Sequence, residues 1–324
     1  MLASASRGVK RPIAAILNAT RRIQPYTRHV STTAGGIADP IAYCRDLVRK
    51  HDYESFLISH LWPREVQPGY FALKAFYVEL ATIQETVSNA MIGKMRMQFW
   101  RDVVKDITEG KPPQHPIALA LARASKAAHL APYHLRRIID ARDAELSGAS
   151  AGHMTVESLT QHGEATASTL NYLLLALLRL GGSETLAHAA SHLGVAQTIG
   201  ILLRALPYHA SRGRMVIPAE ITARHGVRQE EVFRRGGATE GLADAVFELA
   251  TVGNDHLMTA REMLKELEGK VPRGAMGVFA AGVPVGSYLQ RLEAANFDAY
   301  AAAVQGREWQ LAWRVWISYH RCKF

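Results

Sequence analysis

Gln197 to Pro218 reads QTIGILLRALPYHASRGRMVIP. Apolar residues recur at helical spacing as far as Arg204. Pro207 predicts a turn, and a basic tail follows: Arg212-Gly213-Arg214, then Ile217-Pro218. Basic residues at a helix end complement the helix dipole, and on local grounds that reading suffices. Arginines at a turn also suit a phosphate.

The order of these residues resembles the second aspartate-rich segment of the squalene/phytoene synthase family. That pattern is a Gln, then Asn-Ile-Leu-Arg-Asp, two residues, Glu-Asp, and Arg-Gly-Arg before a Leu-Pro. Arg204, Arg212, Arg214 and Ile217-Pro218 match it, while Gln197 sits one residue too far from Arg204. The carboxylates do not match: Ala205 stands at the first Asp, and Tyr208-His209 at Glu-Asp. The likeness extends along the chain. Ser55-Phe56 and Leu61-Trp62-Pro63 resemble the family's opening, and Ala72 to Phe76 its approach to the first aspartate-rich motif. There Val78 stands at an arginine, Ala81-Thr82 at Asp-Asp, and Glu85 at the last Asp.

In the enzymes of this family those carboxylates hold Mg2+, which neutralises an allylic diphosphate leaving group; hard dications need such oxygen ligands. With Ala81/Thr82/Glu85 and Ala205/Tyr208/His209 in their places, neither half of the metal site is expected to form. The resemblance therefore implies a single-domain, all-α isoprenoid-synthase fold that is not an enzyme, with no catalytic, cofactor or metal residues. A narrower likeness adds to this. Ile92 to Trp100, Arg204 to His209, Phe76 to Ala81 and Ala189 to His192 resemble the mitochondrial complex I assembly-factor branch of the family. This implies a matrix protein, peripherally associated with the inner membrane, that meets complex I subunits or other assembly factors. The alternative is a residual prenyl or lipid-modifying transferase with rebuilt chemistry.

The N-terminus fits independently. Residues 1–30 carry Arg7, Lys10, Arg11, Arg21, Arg22 and Arg28 and no acid, the pattern of a transit peptide. Residues 31–38 read as a flexible leader and 39–324 as the helical domain. The chain is +9, from 38 Lys+Arg and 29 Asp+Glu. Without those six cations the balance is 32 to 29, or +3, so the charge gives no support to nucleic-acid binding. Apolar residues make up 48% and charged residues 21%, an ordinary globular mixture. The longest unbroken apolar run, Tyr172 to Leu178, is too short to cross a bilayer. Cys44 and Cys322 form no metal motif, and no disulfide is expected.

Helices are expected at 39–50, 55–63, 67–87, 92–109, 115–130, 132–146, 155–180, 183–206, 218–225, 229–235, 241–267, 272–296 (interrupted at Gly282 and Pro284) and 307–320. A loop is expected at 147–152, and almost nothing reads as strand.

Four groups of residues are candidates for function. Arg204, Arg212 and Arg214 could hold the anionic head group of a prenyl lipid or phospholipid, or simply pair with acids. Glu79, Glu85, Tyr208 and His209 would line the pocket. Trp309, Trp313 and Trp316, with Arg307, Arg314, Arg321 and Lys323 beside them, either pack the last helix back onto the domain or, where exposed, suit a membrane or partner face. Met91, Met95, Met97, Phe99 and Trp100 around Arg96 read as core, or as an adaptable binding face. His188 and His192 share a helix face but read as packing or surface residues, not metal ligands.

Overall fold

Asp39 opens the first helix by accepting a hydrogen bond from the amide of Ile41 (3.1 Å), with Pro40 at the first helical position. The computed structural model describes residues 39–87, 89–147, 152–237, 239–268 and 270–324. The transit peptide, the leader and residues 148–151 of the expected loop lie outside the described residues. Within them no strand occurs, so the all-α expectation holds.

The helices are α1 (Pro40–His51), α2 (Tyr53–Ile58), α3 (Gln67–Thr86), α4 (Ala90–Thr108), α5 (Pro116–Ala128), α6 (Pro132–Ser147), α7 (Val156–Gly163) and α8 (Thr169–Leu177). The second half adds α9 (Glu184–Ala210), α10 (Ala219–Arg224), α11 (Gln229–Arg235), α12 (Leu242–Glu268), α13 (Met276–Phe279), α14 (Gly282–Ala294), α15 (Ala302–Gln305) and α16 (Leu311–Arg321).

The centre of the packing is α9, which lies against α12, α8 and α14. Leu186, Leu193, Val195, Ile199, Leu203 and Leu206 are all buried there. Each such burial contributes about 1.5–3 kcal/mol, which is why this helix organises its neighbours. By length and composition α9 could cross a membrane, but 61% of its most apolar stretch is buried inside the protein. Its hydropathy is that of a core helix.

Two differences from the sequence expectation shape the site. The stretch 155–180 is not one regular helix: Glu164–Ser168 form a π-helical turn between α7 and α8. The turn packs against α9 at Gly194, where a Cβ would collide with the backbone of Ser168. Ser168 Oγ donates to the carbonyl of Ser191 (2.7 Å) at the same contact. The second difference is at Pro207, where the expected turn does not occur. α9 continues through Pro207 to Ala210, and the chain turns at 211–213 with Gly213 at φ +69°. Pro207 has no amide to give the Leu203 carbonyl, a local cost that α9 tolerates without ending there. The carbonyl of His209 then accepts from the amides of Arg212 and Arg214, both at 3.0 Å. Tyr208 and His209 therefore stand on helical backbone, one turn beyond Arg204.

Candidate functional site

Arg204 leaves α9 toward α2 and meets Glu54, 150 residues earlier in the chain. Both terminal nitrogens are used: Nη1 pairs with Oε1, and Nη2 donates to Oε2 at 3.4 Å. Burial opposes the charge on Arg204, but Glu54 outweighs it and holds the guanidinium proton more firmly than usual. This pair forms part of a cleft of about 270 Å³, lined among others by His51, Asp52, Tyr53, Arg291, Arg307 and Glu308. Most of its cations are engaged internally. Arg291 Nη1 donates to the carbonyls of Ala303, Val304 and Gly306 at 3.1–3.2 Å. Glu308 accepts from Arg314 (2.9 Å), and Arg307 lies over the ring of Tyr53 (4.2 Å). Tyr288, on the α14 face between Pro284 and Arg291, is buried, and its hydroxyl has no hydrogen-bond partner among the described residues. Burial pushes that phenol up, against the pull of Arg204 and Arg291.

The tail of the motif is arranged differently. The Arg212 guanidinium lies 3.8 Å from the centre of the Tyr208 ring, a cation–π contact on the surface. Arg214 Nη2 donates to His209 Nδ1 at 3.0 Å. A guanidinium cannot accept, so His209 carries its proton on Nε2. Burial, and then the charge of Arg214, push the imidazole down, with Glu85 and Glu145 opposing; His209 is held neutral. Gln197 is engaged elsewhere, accepting from Asn171 Nδ2 at 3.0 Å.

On α3, Val78 is buried and Thr82 Oγ1 is bonded to its own helix, at the carbonyls of Val78 and Glu79 (both 3.0 Å). Glu79 is half-buried; burial pushes its carboxyl up and Arg96 pulls it down. Glu85 is exposed. Among the described residues, no three His, Cys, Asp or Glu side chains converge to hold a metal ion. The donor set does not fit Mg2+: a phenol under a guanidinium, an imidazole whose lone pair is already used, and an alanine cannot supply its oxygen shell.

Facing His209 is a cluster that the sequence reading missed. Arg142 Nη1 donates to both oxygens of Glu145 (3.1 Å), and Nη2 to the hydroxyl of Tyr77 (3.0 Å). His162 Nε2 meets Glu145 Oε1 at 2.9 Å, and the ring of His153 lies 5.3 Å from that of His162. Burial works against the Glu145 charge, but Arg142 and His162 prevail and hold its carboxyl at about 2. The signal available in the sequence was Arg142-x-x-Glu145, two opposite charges three apart on one helix face. Nothing local tied Tyr77 or His162 to them. The 152–155 segment is clamped over this region by the amides of Ala219 and Glu220, which donate to the carbonyls of His153 and Met154 (both 3.0 Å).

The remaining candidates lie apart. α16 starts at Leu311, later than expected, so Trp309 precedes it, 85% exposed. Trp313 and Trp316 are exposed on the helix and stack at 4.9 Å. Met97 and Trp100 are core, as expected, whereas Met91, Met95 and Phe99 face solvent. Arg96 is exposed and donates to Thr86 Oγ1 at 2.9 Å. His188 is exposed, and His192 Nδ1 meets His256 Nδ1 of α12 at 2.9 Å.

Comparisons with known proteins agree with this scaffold. The family model described as squalene/phytoene synthase matches residues 48–317. A rat protein named NADH dehydrogenase (ubiquinone) complex I, assembly factor 6 is 37% identical over 305 residues, covering 94% of this chain and 89% of its own. The human protein of that name is 37% identical over 275 residues (85% and 80%), and a Drosophila melanogaster homolog 35% over 281 (84% and 81%). Among solved structures, squalene synthase HpnC from Alicyclobacillus acidocaldarius superposes with a TM-score of 0.68 at 17% identity, covering 80% of this chain and 95% of that one. A dehydrosqualene synthase in complex with ligand gives 0.71 at 15% identity, covering 87% and 95%. At such identities the structures speak for the fold alone: an isoprenoid-synthase arrangement of helices.

Proposed function

The chain belongs to the squalene/phytoene synthase family and, within it, to the complex I assembly factor 6 group; from that premise we propose that it supports assembly of mitochondrial complex I without catalysing a reaction. Residues 1–30 direct it to the matrix, 31–38 are a leader, and 39–324 act as one helical domain. The observation that carries the non-catalytic half of this reading is the Arg214–His209 pair. At His209, where the resemblance puts a metal-binding carboxylate, this chain presents a neutral imidazole, bonded to Arg214 of the matching Arg-Gly-Arg. Such a site attracts anions directly and repels dications. It suits the phosphate head of a prenyl lipid or phospholipid, bound without metal. Peripheral contact with the inner membrane is supported by exposed Trp309, Trp313 and Trp316 among Arg307, Arg314, Arg321 and Lys323.

Complex I subunits or other assembly factors are the partners on this reading. The test is a native gel of respiratory complexes from cells lacking the protein. Mature complex I should fall several-fold and return with the wild-type chain. Normal complex I in the deletion would reject the assembly role. A residual lipid transferase is the second reading, favoured by half-buried Glu79 with its raised carboxyl. Unimpaired rescue by Glu79→Gln would count against it.

A further inference from the structure

The first half of α4 is apolar on two faces. One face is core: Gly93, Met97, Trp100, Val103 and Val104 are buried. On the other, Met91 is 63% exposed, Ile92 47%, Met95 67% and Phe99 41%. Steps of one, four and eight residues from Met91 keep these four side chains within about a 100° arc, a stripe about 12 Å long. Because the buried face already anchors the helix, folding does not require the stripe to be apolar.

The charges around the stripe are polarised along it. Lys94 and Arg96 flank its N-terminal end, where the helix dipole is also positive. Between Asn89 and Arg101 there is no acid. Asp102 lies on the line of the stripe just past Phe99, bonded to Gln98 (2.9 Å), and Asp106 continues that line one turn on. A bilayer with anionic lipids is a poor fit: the stripe ends in carboxylates and has no Trp or Tyr, unlike α16. Flexible thioethers bordered by charges of both signs suit a protein surface, since methionines repack around different side chains.

We propose that this stripe docks an apolar helix of another protein, one that carries acidic residues opposite Lys94 and Arg96. Four side chains cover less than the ~800 Å² that a stable interface takes from each partner, so the contact is transient. That suits a protein which holds a client and releases it. The inference does not depend on what the Arg204 and Arg214 sites bind.

The test is a photo-crosslinking residue at Met95 of the full chain, expressed in cells lacking the native protein, with the adducts mapped to residues. Adducts are expected on one apolar helical segment of a partner, with Asp or Glu within a turn of the crosslinked residue. Met91→Glu should cut their yield at least tenfold, and Lys94→Glu at least fivefold, whereas Lys94→Arg leaves it unchanged. All three positions are exposed, so the melting temperatures should match wild type. Adducts confined to lipid, adducts to a second copy of this chain, no adduct, or a yield indifferent to Met91→Glu would each overturn the proposal.

Discussion

Arg204 and Arg214 stand on the same inherited motif and meet opposite fates. Arg204 is closed by a carboxylate, Glu54, which uses both of its terminal nitrogens. Arg214 is met by an imidazole that stays neutral, so its positive charge is left uncompensated by that partner. Retaining an arginine is therefore not the same as retaining an anion site. The first position has become a scaffold strut between α9 and α2. The second leaves a cation beside a neutral imidazole, which is the basis of the anion site proposed above. The Arg142–Glu145–His162 cluster beside it is a third case, with charges almost wholly committed to one another.

Substitutions should sort these three cases by size. Arg142→Met has the largest expected effect on stability, because it leaves Glu145 without its guanidinium; stranding this largely but not fully buried charge costs about 2–3 kcal/mol. Urea denaturation reads this directly. The same pair fixes a pH dependence. Glu145 titrates at about 2 in the folded chain, against an ordinary value of 4.5. Its contribution is full above the ordinary value and is lost as pH falls toward 2. The acid-unfolding limb of Glu145→Gln should accordingly be flatter than that of wild type. Arg204→Ala should cost about 1–2 kcal/mol, since Glu54 is only partly buried. Arg214→Ala should cost less than about 1 kcal/mol, because it strands no charge. Equal losses at these two sites would erase the distinction between them.

Binding should show the reverse order. Inorganic pyrophosphate, titrated without Mg2+ by calorimetry, is expected to lose at least tenfold in affinity with Arg214→Ala. Arg204→Ala should change it less than threefold, and Glu54→Gln should strengthen it by freeing Arg204. The smallest expected effect is on His209. Arg214 depresses its imidazole, so Arg214→Ala should raise the His209 pKa in an NMR titration. His115, His134, His153, His192 and His256 are also lowered, with burial the leading cause. The unfolded chain binds those protons more readily. Stability should therefore fall as pH drops below about 6.5, measurable as a declining Tm.

The scaffold was largely legible because helices write themselves locally. Asp39-Pro40 opened α1, and the apolar spacing of α9 and the Arg-Gly-Arg tail lay in one stretch. The details that decide function were not local. Nothing near Arg204 announces Glu54, and nothing near Tyr77 announces Arg142. Pro207 misled because a proline weakens a helix without always ending it. The late start of α16 moved Trp309 off the helix. α4 defeated a periodicity reading because its two apolar faces merge into one apolar run, and only packing separates Trp100 from Met95.

The most direct test of a scaffold that holds and does not react is complementation with a chain stripped of its candidate acid–base groups. Cells lacking the protein would receive Glu79→Gln/Glu85→Gln/Tyr208→Phe/His209→Gln, and complex I would be measured on a native gel. Full recovery, equal to wild type, is expected. Failure to recover complex I, with the variant folded and present at wild-type levels, would contradict the non-catalytic reading and return chemistry to the site.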